Sequence, residues 1–273
     1  MQISTDNYFL DVGEEGKNRL EILNEVFSGF SSSFLLNAGI SKGKSVLEIG
    51  CGTGHLTCWI AEQVGSSGQV YALDTSDEQL KIAKQHAVEK GLTNIIFIQS
   101  SILDLLNLTE LPLVDIVYAR FILVFLHNPL QALEHMLQSL KVGGKIICEE
   151  ACNSVTYCYP FSPSIHKSRQ LFLELAKKKG LDFDLGEKLY SYFYKLNLKN
   201  INAQFVQPIY HTKRQKLLIP LTFKEACDSY VTHSLADISE TKQLIADLYK
   251  CIEDNSYIMS FPRTTQIYGQ KQL

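Results

Sequence analysis

Residues 45–54 read SVLEIGCGTG, an apolar run that carries one carboxylate, Glu48, two residues before the first of three alternate glycines, Gly50, Gly52 and Gly54. Glycines at that spacing let backbone approach a ligand closely, because they accept tight turns and put no side chain in the way. Dinucleotide-binding loops are similar but place the third glycine one residue later and seat a pyrophosphate on the following helix. Glu48 would repel a pyrophosphate, whereas it suits a ligand with positive charge. Asp74, in VYALDTS, stands where a carboxylate at the end of a second strand accepts the hydroxyls of a ribose. Together these residues ask for an adenosine-like ligand with a cationic end.

The elements that must hold these residues alternate between strand and helix. Strands are predicted over 46–49, 69–73, 94–98, 113–118 and 145–148. Between them come a helix over 55–64, one opened by Ser76 and Gln79 as a capping box and closed at Gly91, and one opened by Asn128 and Pro129 and closed at Gly143 and Gly144. Upstream, a helix over 14–30 shows a stripe of Leu20, Leu23, Val26 or Phe27, and Phe30, with a second short helix to Gly39. This alternation predicts an α/β fold, a doubly wound, mostly parallel sheet with right-handed crossovers and ligands at the carboxyl ends of its strands. After Glu150 the pattern changes to an aromatic loop over 151–162, helices over 163–179 and 184–196, and a strand over 201–210. A helical stretch over 222–253, with a capping box at Thr222 and Glu225, precedes a strand over 264–268. The two late strands predict a C-terminal antiparallel hairpin at the sheet edge. Three regions follow: an N-terminal helical cap (1–41), a ligand-binding core (42–150), and a segment (151–273) that completes the sheet and carries helical lid insertions over 151–182 and 216–256. All belong to one globular unit.

VLEIGCGTG, the acid of ALDTS, FIQSSILDL and DIVYARFILVFL together resemble class I S-adenosylmethionine-dependent methyltransferases, a Rossmann-like family. Within it the chain is similar to the small-molecule branch that includes ubiquinone and menaquinone methyltransferases. The cofactor meets the charge argument, carrying an ammonium and a sulfonium and no phosphate. The resemblance covers 42–150 well and the later hairpin loosely. It implies that Glu48 lies near the methionyl end and that Gly50, Cys51, Gly52 and Gly54 line the cofactor. It further implies that Asp74 takes the ribose, Thr75 flanks the adenine, Ser101 and Ile102 cover its other face and edge, and Ala119 and Arg120 face the methionyl part and the methyl. Two departures matter. Ser100 and Ser101 stand where many relatives have GD, so the adenine amino group falls to a hydroxyl or to backbone. Leu123-Val124-Phe125-Leu126 stands where many have a histidine, so that residue's role as a base does not carry over; His127 is expected to face outward.

No general base stands out. His55, Glu150 and Tyr157 are the candidates for an acceptor that needs one, and Arg120 is either a ligand contact or the partner of a structural carboxylate such as Glu150. Tyr157, Tyr159 and Phe161 form a lid over the substrate or pack the inserted helix; Tyr8 and Phe9 fold over the cofactor or form a hydrophobic staple.

A net charge of −3 gives no electrostatic footprint for nucleic acid, and the basic run Lys213 to Lys216 reads as a solvated turn. No stretch of about 18 apolar residues predicts a membrane span. The acidic N-terminus does not read as a secretory leader, so a cytoplasmic location is expected. The seven cysteines contain no CxxC pair, which fits a reducing compartment, and no metal site is expected at Cys148, Cys152 and Cys158, their one cluster. The aromatic insertions permit a homodimer without demanding one. The expected function is methyl transfer by in-line displacement to a small, partly apolar acceptor. The alternatives are a protein-modifying methyltransferase, a non-catalytic cofactor-binding protein and, from another class, a nicotinamide-dependent oxidoreductase.

Overall fold

The computed structural model describes residues 8–272, so the first seven residues of the expected N-terminal cap lie outside it. Strands β1 (Ser45–Ile49), β2 (Gln69–Asp74), β3 (Ile95–Gln99), β4 (Val114–Arg120) and β5 (Leu140–Cys152) pair in parallel. They are joined by helices α2 (His55–Val64), α3 (Asp77–Glu89) and α4 (Pro129–Gln138), with a 3-10 segment over Ile102–Asn107 after β3. Later strands β7 (Lys199–Val206) and β10 (Arg263–Gln270) complete a seven-stranded sheet in the order β3-β2-β1-β4-β5-β10-β7, with β10 antiparallel to both neighbours. The expected α/β sheet and its antiparallel hairpin are both present. β1 and β4 are apolar almost throughout because both faces of a central parallel strand are covered.

One layer covers the sheet with α1 (Gly13–Ala38), whose Phe34, Leu35 and Ala38 pack with Val46, Ile60, Ile116 and Ile147. The helix does not break near residue 30, as the sequence suggested. Ser31 turns inward, and its hydroxyl donates to Glu149 Oε2 at 3.0 Å, so a polar residue is buried without interrupting the helix.

After β5 come β6 (Cys158–Tyr159), α5 (Pro163–Lys178) and α6 (Leu189–Lys195). β8 (Ile209–Tyr210) follows β7 and leads into α7 (Lys213–Lys216), α8 (Leu218–Glu225), α9 (Cys227–Thr232) and α10 (Ile238–Glu253), then β9 (Ile258–Ser260). β6, β9 and β8 form a second, antiparallel sheet. The expected 201–210 strand is thus two strands in two sheets.

Several local expectations are corrected. The Thr222 hydroxyl donates to the Leu218 carbonyl within α8; the capping boxes lie at Thr212 with Gln215 and at Asp237 with Glu240. The basic run is α7 rather than a solvated turn. Lys213 pairs with Glu253 and Arg214 with Glu25, while Lys216 is buried with its ammonium 3.4 Å from the Asp254 carbonyl. Gly143 and Gly144 fall inside β5, not at the end of α4. Ser76 and Asn128 cap α3 and α4, accepting from the Gln79 and Gln131 amides, but the expected box at Ser76 is only half formed, because the Ser76 amide donates to Asp74 instead of to the Gln79 side chain.

Candidate functional site

A cavity of about 1450 Å³ opens over the carboxyl ends of β1, β2 and β4, with α1 and the helices α5, α8 and α9 above it. Its floor is the glycine loop. Gly50 has a φ of 69°, and a Cβ there would sit 2.0 Å from Ile122 Cδ1, so only glycine lets β1 turn under the loop that follows β4. At Gly52 a Cβ would have nothing within 4 Å, which leaves bare backbone on the cavity wall. Gly54 does a different job. A Cβ there would lie 2.6 Å from Ala83 Cβ, so this glycine packs α2 on α3 and does not line the cavity.

Glu48 lines the cavity and is 4% exposed, and its Oε2 has no hydrogen-bond partner among the described residues. Burial pushes its carboxyl up to about 7, although nearby Arg120 favours the ionised form. Such an orphaned carboxylate suits a donor supplied by a ligand. Asp74 accepts the amide of Gly52 at 2.8 Å on one oxygen and that of Ser76 at 2.9 Å on the other. Burial raises its pKa, and these amides hold it back. Each oxygen keeps a lone pair for a further donor.

Cys51, Thr75, Ser101, Ile102 and Arg120 also line the cavity. The Ser101 oxygen accepts the Leu103 amide at 3.1 Å and so caps the 3-10 segment. Ala119 is fully buried and does not line the cavity, contrary to expectation.

Arg120 has no carboxylate within ion-pair distance among the described residues; its Nη1 donates to the Ser31 hydroxyl at 3.0 Å. That hydroxyl donates in turn to Glu149, which also accepts from Tyr118 at 2.5 Å and Gln266 at 2.7 Å. Of the two readings of Arg120, the pairing with Glu150 is not formed, and a hydrogen-bonded chain through α1 stands in its place. Phe121 next to it has a φ of 56°, a strained conformation for a bulky side chain. Its amide donates to the Glu149 carbonyl, and its ring meets Phe27 edge-on at 5.0 Å.

Of the candidate bases, Glu150 does not line the cavity. Its Oε1 accepts the amides of Ile122 and Leu123 at 3.0 and 2.8 Å, which fixes the loop after β4, and burial pushes its carboxyl up to about 8. His55 and Tyr157 do line the cavity. The His55 ring lies 4.5 Å from that of His86, and burial, with His86 adding to it, lowers its pKa. Tyr157 is half exposed at the rim, Tyr159 is 64% exposed, and Phe161, though 67% exposed, has its ring 5.7 Å from that of His166 on α5. Tyr8 lines the cavity with its ring 4.7 Å from Phe125, whereas Phe9 packs against Phe125, Phe172 and Phe183. His127 is exposed, as expected, yet it also lines the cavity at its rim.

On the wall away from the glycine loop, the sequence marks the lid segments without singling out the residues that face in. That wall includes Arg169 and Phe172 of α5, Ile219 and Phe223 of α8, and Tyr230 of α9. One signal was present: Arg169 falls on the α5 stripe of Ile165, Phe172 and Ala176, where a surface helix carries apolar residues.

Comparison with known proteins agrees with this geometry. The family model described as "Methyltransferase domain" matches residues 40–197, more than half of the 273. A demethylmenaquinone methyltransferase of Geobacillus sp. strain WCH70 is 34% identical over 115 residues, which cover 41% of this chain and 47% of that protein. A ubiquinone/menaquinone biosynthesis C-methyltransferase of Azotobacter vinelandii is 30% identical over 142 residues, 48% of this chain and 54% of that protein. The chain thus spans about half the length of these curated relatives. Among solved structures, the Bacillus subtilis YcgJ protein superposes with a TM-score of 0.58 at 15% identity, covering 90% of this chain and 99% of that one. At that identity the likeness speaks to the fold alone.

Proposed function

As the chain belongs to the methyltransferase-domain family, we propose that it transfers a methyl group from S-adenosylmethionine to a small, partly apolar acceptor. The observation that carries the reading is Glu48, a buried carboxylate with an orphaned oxygen facing the same cavity as the bare backbone of Gly52 and the carboxylate of Asp74. This donor set fits the cofactor: a carboxylate for an ammonium and a second for ribose hydroxyls. The names of the curated relatives, which include demethylmenaquinone methyltransferases, are in keeping with an apolar ring as acceptor.

When bound, the cofactor supplies an activated methyl on a sulfonium, displaced in line by the acceptor's nucleophilic atom. The protein's part is positioning. Glu48 and Asp74 fix the two ends of the adenosyl and methionyl framework, Ile102 and Leu103 give the ring an apolar wall, and Arg120 presents its remaining donors to the methionyl side. Holding two reactants aligned supplies effective molarities on the order of 10⁵ to 10⁸ M. α1, α5, α8 and α9 exclude water, which favours charge neutralisation between the nucleophile and the cation. Among the described cavity-lining residues from 151 onward there is no histidine or carboxylate. A base on that wall for an acceptor that needs one is then a tyrosine, Tyr157 being the candidate.

Calorimetric titration with S-adenosylmethionine, S-adenosylhomocysteine and NAD in parallel tests the reading. Micromolar binding of the first two and none of NAD is expected. Binding of NAD, or of none, overturns it.

A further inference from the structure

The cavity gathers its carboxylates at one end, which Lys81 and Arg120 share. Its lining carboxylates, Glu48, Asp74, Asp77, Glu78 and Asp104, all stand at the ends of β1, β2 and β3. From residue 151 onward, Arg169 is the one charged side chain among the described lining residues. It has no carboxylate within ion-pair distance among those residues. Its Nη1 donates to the Thr156 hydroxyl, and its Nη2 donates to His166 Nδ1 at 3.1 Å. A guanidinium has five N–H donors, so three remain after these two bonds. The group is thus anchored and still offers donors.

The surroundings are apolar. Phe172 lies one turn along α5, and Ile219 and Phe223 face in from α8. Tyr230 is fully buried, stacked on Phe223 at 4.8 Å, and its hydroxyl has no hydrogen-bond partner among the described residues. A buried phenol is normally hydrogen-bonded, so an orphaned one on a cavity wall points to an oxygen brought by a ligand. The roof's other arginine, Arg19, is already committed to Glu225 at 2.5 Å.

We propose that the acceptor is an organic anion with an apolar, ring-sized body, its anionic group held by Arg169 and its body lying along Phe172, Ile219 and Phe223. Arginine is the residue suited to this, because its planar fork matches two oxygens of a carboxylate. The five carboxylates then draw the cationic reactant to their end, and Arg169 holds the anionic one at the other. This inference rests on the methyltransferase reading for the word acceptor, while the anion site itself stands on the geometry of Arg169.

The test uses the full chain saturated with S-adenosylhomocysteine and titrated by calorimetry with 2-naphthoate and, separately, with neutral 2-naphthamide. Naphthoate should bind at least tenfold more tightly than the amide. Arg169→Gln should abolish that preference with S-adenosylhomocysteine affinity and melting temperature unchanged, and Arg169→Lys should keep part of it. Equal affinities in the parent protein, a preference that survives in Arg169→Gln, or no binding of naphthoate at millimolar concentration overturns the proposal. If S-adenosylhomocysteine does not bind, the cofactor reading fails instead, and the naphthoate comparison is made on the protein alone with the same criteria.

Discussion

Glu48 is under electrostatic tension, a carboxyl held near 7 by burial at the end of a central strand. Its folded pKa lies above the ordinary value of 4.5, so its contribution to stability is fully present below about 4.5 and is lost as pH rises through 7. That loss amounts to about 3 kcal/mol. Glu48→Gln should therefore be more stable than the parent at pH 8 and lose that advantage near pH 4, as read by denaturant unfolding at the two pH values. Ligand binding should show the opposite slope. An ammonium prefers the ionised carboxylate, so S-adenosylhomocysteine affinity should rise roughly tenfold from pH 6 to pH 8, and Glu48→Gln should flatten that rise. A flat profile in the parent protein would remove Glu48 from the binding site. Glu150 shows a related shift with a structural cause. It holds two loop amides, so Glu150→Gln should keep the fold and resist unfolding better at pH 9. Glu150→Ala, which orphans both amides, should cost about 2–4 kcal/mol in urea unfolding.

At the scale of elements, the glycine loop divides its work in a way that spacing alone could not reveal. Gly50 and Gly52 belong to the cavity, whereas Gly54 is the place where α2 meets Ala83 of α3. With a φ of 78° and a neighbour at 2.6 Å, Gly54→Ala should destabilise the protein by more than about 1 kcal/mol, measured by thermal unfolding. It should not change ligand affinity per folded molecule, whereas Gly50→Ala should weaken both. The core strands were legible because a parallel strand buried on both faces writes a continuous apolar run, and the Ser76 and Asn128 caps mark their helices chemically. The short strands β6, β8 and β9 were not. At two or three residues each, they are fixed by pairing between segments far apart in the chain, as between Tyr210 and Met259, and carry no period of their own. Thr222 was misread for a related reason: a threonine followed three residues later by glutamate has the pattern of a cap, yet inside a helix its hydroxyl bonds back to the Leu218 carbonyl.

For the whole molecule, the half of the cavity built on the glycine loop was readable residue by residue, whereas for the half built by α1, α5, α8 and α9 the sequence marked the lid segments but few of the residues that face inward, because that wall exists only once distant helices meet. Their junction is a charged pair. Arg19 of α1 and Glu225 of α8 are 5% and 6% exposed, and Glu225 also accepts the Asp11 amide at 3.2 Å while Arg19 reaches the Tyr8 hydroxyl at 3.1 Å. Burial raises the Glu225 pKa even though Arg19 pulls it down, so desolvation outweighs attraction at this carboxylate. A buried pair of this kind contributes little net stability, but removing one member leaves a stranded charge at a cost of about 3–5 kcal/mol. Arg19→Met should therefore destabilise the protein by about that amount, while Arg19→Met combined with Glu225→Met should recover most of the loss, since both charges then leave the interior together. Urea unfolding of the two single variants and the double variant measures the coupling. If the double variant is as unstable as the sum of the singles, the pair does not act as a unit, and α1 is held over the cavity by its apolar contacts with Leu218 and Met259 instead.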